Sequence, residues 1–383
     1  MRIAFYSDTY LPAVDGVVTS MLSFKKELER RGHKVFIFTS GTLSSKKKYE
    51  TSDVFVHTGI KFKPYPQYSA AIFPYHSILK LSRLKIDIIH AQTPFTLGFN
   101  GLLAARLGRY PLVGSFHTLF NDRSLEIYYP RSMRGFYKKY LWKYIKFFYR
   151  RCDTVIAPSN TIKSMLEKRR IGNVVVVPNG IDTGVFNENA SPRPAMKHFG
   201  ISPKKRHVLY LGRISHEKKI DTLIKAAKYI AAKRNDIEFI IGGTGPMLDK
   251  YTSVVHKLGI GSSVKFLGFV KPELLPSLYA ASDVLCLPST FETQGIVCLE
   301  AMSVGKPVVA ASTPVLNEFV KSKYSGERFS GNYLACARGI EKVLNNVDAY
   351  KKGAISTARM FSIEKVTDRL EKVYENTIDK AVY

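Results

Sequence analysis

Two carboxylates, Glu292 and Glu300, stand eight residues apart in the segment Phe291–Gly305, FETQGIVCLEAMSVG. The apolar run Val284–Pro288 before them reads as a buried strand, and LEAMSVG reads as a helix stopped at Gly305. That spacing predicts Glu292 at the strand's carboxyl end and Glu300 about two turns into the helix, on nearly the same face. Ligands of open α/β sheets bind beyond the strand ends, so the pair suits hydrogen bonds from two hydroxyl-rich groups. A second cluster is cationic. In YLGRISHEKKID, Arg213 leaves a strand end and Lys218 precedes the next helix. A guanidinium fork and an ammonium point charge at a crevice mouth suit a diphosphate. Alone, the same residues read equally well as a solvated basic loop. Beside the two carboxylates, the phosphate reading prevails.

Two weaker signals lie in the first half. His117 ends the strand PLVGSFH, where an imidazole faces a crevice and can bond a substrate hydroxyl or move a proton; the alternative is a structural histidine. Asp15-Gly16-Val17 opens a helix, and Gly16 would let an anion approach backbone N–H groups, or serve only the turn. Ile240–Met247, IIGGTGPM, is Gly-rich but is no GxGxxG after a first strand and lacks a P-loop lysine, which disfavours nicotinamide and ATP sites of those types. The chain has no Asp-x-Asp pair and no metal-ligand spacing. A bound diphosphate is therefore expected to be neutralised by Arg213, Lys218 and helix amides, with no metal and no cofactor.

These residues need a frame, and the rest of the chain supplies one. At 383 residues it suits two domains. Strand candidates are Ile3–Ser7, Lys34–Thr39, Ile86–His90, Pro111–His117, Asp153–Pro158 and Val174–Pro178, then His207–Gly212, Ile237–Gly242, Val264–Phe269, Val284–Pro288 and Pro307–Ala311. Amphipathic stretches alternate with them, which predicts parallel, doubly wound α/β sheets. Asn187–Pro203 reads as a linker, placing the domains at 1–185 and 186–361. The final stretch, 362–383, has the period of a long helix able to pack back on the first domain. No apolar run is long enough to span a bilayer, and the start lacks a signal-peptide core. Four scattered cysteines fit reduced, buried thiols in the cytosol.

Taken as a set, GRISHEKKID, the Glu292–Glu300 segment, GSFHT at 114–118 and VVVVPNGID at 174–182 resemble the glycosyltransferase family 4 pattern across nearly the whole chain. The resemblance implies a GT-B fold: two Rossmann-like domains facing across a cleft. It also implies retaining transfer of a sugar from a nucleotide diphosphate donor. Carried over, Arg213 and Lys218 would hold the diphosphate, Glu300 the ribose and Glu292 the transferred sugar. Amides around Gln294, Gly295, Ile296 and Val297, and at Gly16, would complete the donor site, with His117 beside the sugar. ETQG at 292–295 and FHTLFND at 116–122 look similar to glucosyltransferases acting on diacylglycerol, implying UDP-glucose and a membrane lipid acceptor. Other donors (GDP-mannose, UDP-GlcNAc) and soluble, polyisoprenoid-linked or inositol phosphate acceptors stay open. After Pro314 the chain departs from the family, with KSKYSGERFSG at Lys321–Gly331.

The net charge of +27 predicts attraction to a polyanion. Arg131–Arg151 holds eight basic residues, eight aromatics and no acid. On a helix, Tyr137, Leu141, Tyr144, Ile145 and Phe148 share one face, while Lys139, Lys143, Lys146 and Arg150 share the other, with Trp142 on the flank. Such a helix suits peripheral docking on an anionic, cytoplasmic membrane face; alternatively its aromatic face packs on the sheet. No motif for nucleic acid accompanies it, and acids in the crevice would repel a polynucleotide. Nothing in the sequence fixes the oligomeric state.

Overall fold

Consecutive apolar, often β-branched residues make strands buried on both faces, and helical crossovers then force parallel pairing. The computed structural model describes residues 1–13, 15–61, 69–71, 76–117 and 134–382. They divide into two units: Met1–Gly180 with Ile363–Tyr383, and Ile181–Ser362. The division lies at Gly180–Ile181, whereas composition pointed to residue 185.

The first unit runs β1 (Arg2–Ser7), α1 (Gly16–Arg30), β2 (Lys34–Gly41), α2 (Leu43–Tyr49), β3 (Val54–Lys61), β4 (Ser69–Ala71), α3 (His76–Arg83), β5 (Ile88–Ala91), α4 (Thr96–Gly108), β6 (Leu112–Ser115), α5 (Arg134–Tyr149), β7 (Thr154–Ala157), α6 (Asn160–Lys168) and β8 (Val174–Val176). Among the described residues its sheet has the order β4-β3-β2-β1-β5-β6-β7-β8. Among the described residues only β4 pairs antiparallel, at the edge beside β3. Strands β3 and β4 were not legible as apolar runs: His57, Thr58 and Gly59 interrupt the first, and the second is three residues long.

The second unit runs α7 (Arg193–Phe199), β9 (Arg206–Leu211), α8 (Ile220–Ala231), β10 (Ile237–Gly242), α9 (Leu248–Lys257), β11 (Val264–Gly268), α10 (Leu275–Ala280), β12 (Val284–Leu287), α11 (Ile296–Ser303), β13 (Val308–Ala311), β14 (Gly326–Phe329), α12 (Tyr333–Leu344) and α13 (Val347–Arg359). Its strands are all parallel, in the order β11-β10-β9-β12-β13-β14. Two expectations change here. The Asn187–Pro203 stretch is not plain linker, because α7 forms within it: Pro194 suits the first turn, and Gly200 ends the helix in the left-handed region. The divergent KSKYSGERFSG segment supplies β14, which completes the sheet edge.

The last helix, α14 (Ile363–Val382), belongs to the first unit. Val366, Leu370 and Tyr374 bury there with Ile3, Phe5 and Ile88. The Tyr374 hydroxyl lies 2.7 Å from His90 Nδ1, and His90 Nε2 lies 2.8 Å from Ser115 Oγ. Burial pulls the His90 imidazole down to about 3, so it stays neutral. Arg31 on the α1 side bonds Asp368 at 2.7 Å and Glu371 at 2.5 Å.

Helix α5 resolves the choice left by its sequence. Ile145, Phe148 and Tyr149 are buried in the first unit, and the Tyr144 hydroxyl donates to the Pro94 carbonyl. Tyr137 lies outside the described side chains. From Tyr144 to Tyr149 this side of the helix is therefore packed against the first unit and is not an inserting surface. Trp142 does not face outward as a membrane anchor either: it stacks on Phe116 with a 20° interplanar angle, under the Arg169 guanidinium at 4.3 Å. Lys139, Lys143 and Arg150 are exposed and Lys146 is half-buried.

Candidate active site

In a doubly wound sheet, ligands sit where the strand order reverses. In the second unit that point lies between β9 and β12, which pair directly. The loop after β9 carries Arg213 and Lys218, and the loop after β12 carries Glu292. These cation and carboxylate segments, 74 residues apart in sequence, meet directly: Lys218 Nζ donates to Glu292 Oε1 at 2.6 Å. Their side chains are 22% and 11% exposed, so solvent screening is weak and the pair is mutually oriented. Lys218 ends a short 3-10 turn, His216–Lys218, and Lys219 enters α8 in the left-handed region. The Tyr210 hydroxyl donates to the Arg213 carbonyl at 2.9 Å, tying the loop to the strand beneath it.

Gln294 is buried, and Gly295 caps α11 with φ of +87°, a conformation that favours glycine. No side chain caps α11, so its first amides, Ile296 and Val297, are not taken by a capping group. Such a helix start favours an anion. Glu300 lies just over one turn into α11, closer than the two turns expected, because the helix starts only at Ile296. It is 6% exposed and accepts from the Tyr279 hydroxyl at 2.6 Å. Burial pushes its carboxyl up to about 7, with the Tyr279 bond opposing. The two carboxylates thus differ: Glu292 is ion-paired, whereas Glu300 titrates near neutrality.

In the first unit the reversal lies between β1 and β5. His117 follows β6, and its Nε2 sits 3.0 Å from Gln92 Oε1, just after β5. Desolvation pulls the His117 imidazole down to about 4, so it stands neutral at physiological pH. Gln92 is a residue that sequence reading missed. It is 2% exposed, and its Nε2 has no hydrogen-bond partner among the described residues. Asp8, also missed, is buried after β1 and accepts from Thr93 Oγ1 at 2.6 Å and the Leu97 amide at 2.8 Å, fixing the start of α4. The turn at Gly16 differs from the expectation of open amides. Asp15 Oδ1 already accepts from Val17 N at 3.0 Å and Val18 N at 2.9 Å, so a carboxylate occupies the anion's place at that helix start. The segment 118–122 lies outside the described residues.

The class follows from this frame and from the relatives. The chain matches the Glycosyltransferase Family 4 domain over residues 14–185 and the Glycosyl transferases group 1 domain over 193–359. It is 30% identical to an uncharacterized glycosyltransferase of Methanocaldococcus jannaschii, covering 90% of each chain. It belongs to this glycosyltransferase family, with the GT-B fold. It is also 29% identical to the alpha-monoglucosyldiacylglycerol synthase of Streptococcus pneumoniae, covering 99% of this chain and 86% of that protein. In fold it is similar to Anabaena HepE in complex with UDP and glucose, at a TM-score of 0.77 and 21% identity, covering 98% of this chain and 100% of that one.

Proposed function

We propose that the protein is a retaining, metal-independent glycosyltransferase moving glucose from UDP-glucose onto a membrane lipid, diacylglycerol being the leading candidate. The observation that carries the donor half is the 2.6 Å Lys218–Glu292 pair beside the uncapped start of α11. An ammonium has three donors, and Glu292 takes one. The other two, with the Arg213 fork and the Ile296 and Val297 amides, suit the oxygens of a diphosphate. Glu292 is then placed for hydroxyls of the sugar, and Glu300, deeper and titrating near neutrality, for the ribose. Two cations and a helix dipole supply the charge that a metal would otherwise bring. The lipid half rests on the likeness to the pneumococcal alpha-monoglucosyldiacylglycerol synthase.

In the reaction, the bond from the sugar's anomeric carbon to the β-phosphate oxygen breaks as the bond to the acceptor oxygen forms. The electron pair goes to the phosphate, which Lys218 and Arg213 stabilise, and the acceptor's proton passes to a leaving-phosphate oxygen. Delivery on the same face keeps the configuration of an α-linked donor. With Lys218 at 2.6 Å, Glu292 is held as an ion-paired hydroxyl acceptor, not as a nucleophile. His117, neutral and bonded to Gln92, is assigned to the transferred sugar. A donor panel (UDP-glucose, UDP-galactose, UDP-GlcNAc, GDP-mannose) against diacylglycerol vesicles, with product mass measured, tests the assignment. Transfer from UDP-glucose is expected to persist in EDTA. Loss of turnover on chelation, restored by a divalent metal, removes the metal-free mechanism.

Glu300 adds a pH dependence. Burial raises its pKa in the fold to about 7, above the ordinary carboxyl value of 4.5. Its contribution to stability is thus fully present below about 4.5 and lost as pH rises through about 7. Ribose hydroxyls donate better to the carboxylate, so donor binding runs the opposite way. Donor affinity by titration calorimetry is expected to rise about tenfold from pH 6 to pH 8, and Glu300→Gln to flatten the profile. An unchanged profile in Glu300→Gln removes Glu300 from the ribose.

A further inference from the structure

The core packing of α5 leaves the basic charge of the first unit without its expected apolar partner, and α4 provides one. Phe95, Phe99, Leu103 and Leu107 recur at four-residue steps and are 36%, 43%, 42% and 68% exposed. The opposite side of α4, including Leu97, Leu102 and Ala105, is buried. A helix that already buries one apolar face and exposes a second along about 20 Å has a surface in excess of what the core needs. Helices α4 and α5 are the crossovers of the consecutive parallel pairs β5–β6 and β6–β7, and right-handed crossovers put both on one side of the sheet. They touch at the far end, where Arg106 Nη2 donates to the Arg151 carbonyl at 3.0 Å. Beside the stripe, α5 exposes Phe147, 42% accessible, under the Arg151 guanidinium at 3.7 Å.

The charge on this layer is of one sign. Neither α4 nor α5 contains an acidic residue. Where the two helices end, Arg106, Arg109 and Arg151 line a cavity of about 210 Å³ together with Tyr110 and Asp153. Asp153 Oδ2 accepts from the Leu112 amide at 2.8 Å, which engages its carboxylate with backbone. A favourable helix dipole accounts for a cation in the last turn of α4, but not for three guanidinium groups around one cavity. Three guanidinium forks beside exposed leucine and phenylalanine fit an anionic headgroup above acyl chains.

We propose that the outer layer formed by α4 and α5 is a docking surface for an anionic phospholipid bilayer: the Phe99–Leu103–Leu107 stripe inserts, and the Arg106–Arg109–Arg151 cavity seats a headgroup phosphate. Helix α4 starts close after the carboxyl end of β5, so a bilayer along this layer reaches the strand-end side of the first unit, where His117 stands. This refines the lipid-acceptor reading and rests on it only for its purpose. Docking is measured without donor, by co-sedimentation with vesicles of phosphatidylglycerol and phosphatidylcholine against phosphatidylcholine alone. The full chain is expected to bind the mixed vesicles. Leu103→Asp with Leu107→Asp is expected to lower binding at least about tenfold, with circular dichroism unchanged. Arg109→Ala with Arg151→Ala is expected to cost about fivefold per cation on anionic vesicles and little on neutral ones. Wild-type indifference to anionic vesicles overturns the proposal, as does unaltered binding by folded Leu103→Asp/Leu107→Asp. Transfer to detergent-dispersed diacylglycerol separates the two readings. Transfer without docking removes this surface alone, and docking without transfer removes the diacylglycerol acceptor alone.

Discussion

Lys218→Ala lowers kcat/KM for the donor by roughly 10²–10³-fold, the loss expected when one preorganised donor to a developing anion is removed. The structure makes two distinct reasons for that loss separable. Lys218 is the partner of Glu292 at 2.6 Å, and Glu292 is only 11% exposed. Removing the ammonium leaves a poorly solvated carboxylate at the proposed diphosphate position, so repulsion would add to lost attraction. Glu292→Gln in the same background removes the repulsion. If Lys218 served only to neutralise Glu292, the double variant would match Glu292→Gln alone. If it also holds the diphosphate, the double variant stays well below that level, and donor affinity stays weak by calorimetry. Lys218→Arg is expected to recover part of the activity, because a planar fork cannot reproduce the short single contact to Glu292. Activity of Lys218→Ala within threefold of wild type would remove Lys218 from the donor site.

Gly243→Ala is the second large effect, and it acts through backbone. Gly243 has φ of +131°, and a Cβ there would lie 1.9 Å from the Gly212 carbonyl oxygen. Its own amide donates to the Gly268 carbonyl at 2.7 Å, and the Gly212 amide donates to Gly242 at 3.1 Å. The ends of β9, β10 and β11 are therefore knitted so closely that no side chain fits, and the peptide displaced is the one preceding Arg213. The expected cost is roughly 3 kcal/mol or more, a fall of about 6–12 °C in the transition of a unit this size. Gly261→Ala is the control. A Cβ there meets nothing within 4 Å, so its effect is expected to stay within about 0.5 kcal/mol. Calorimetry is the suitable measurement, because the single tryptophan, Trp142, reports on the first unit. Equal transitions for the two variants would contradict the packing of these loops.

Much of the fold was written in local pattern. Continuous apolar runs such as Ile237–Gly242 specify strands buried on both sides, and the observed β10 has those bounds. Strand β3 was hidden because polar residues interrupt it, and β14 because Gly-Glu-Arg-Phe has no apolar run; only pairing with β13 makes it a strand. The periodicity of Arg131–Arg151 specifies two faces, but periodicity does not say what each face touches. Burial of Ile145, Phe148 and Tyr149 made the aromatic side core. The exposed stripe of α4 leaves no signature in sequence, because Thr96–Gly108 is apolar nearly all round and does not specify which leucines face out.

The sequence by itself determined the two parallel-sheet units, the family, and the residue types of the second unit's strand-end cluster, since each follows from short-range spacing. Only the tertiary structure decided that Lys218 and Glu292 are one ion pair, that Glu300 titrates near neutrality, that Asp15 fills the helix start at Gly16, and that α4 carries the open apolar stripe. Each of those depends on which distant segment lies within a few ångströms and on how much water remains around it. Pairing across 74 residues and desolvation of a carboxyl are properties of the packed chain, with no local trace in the order of its residues.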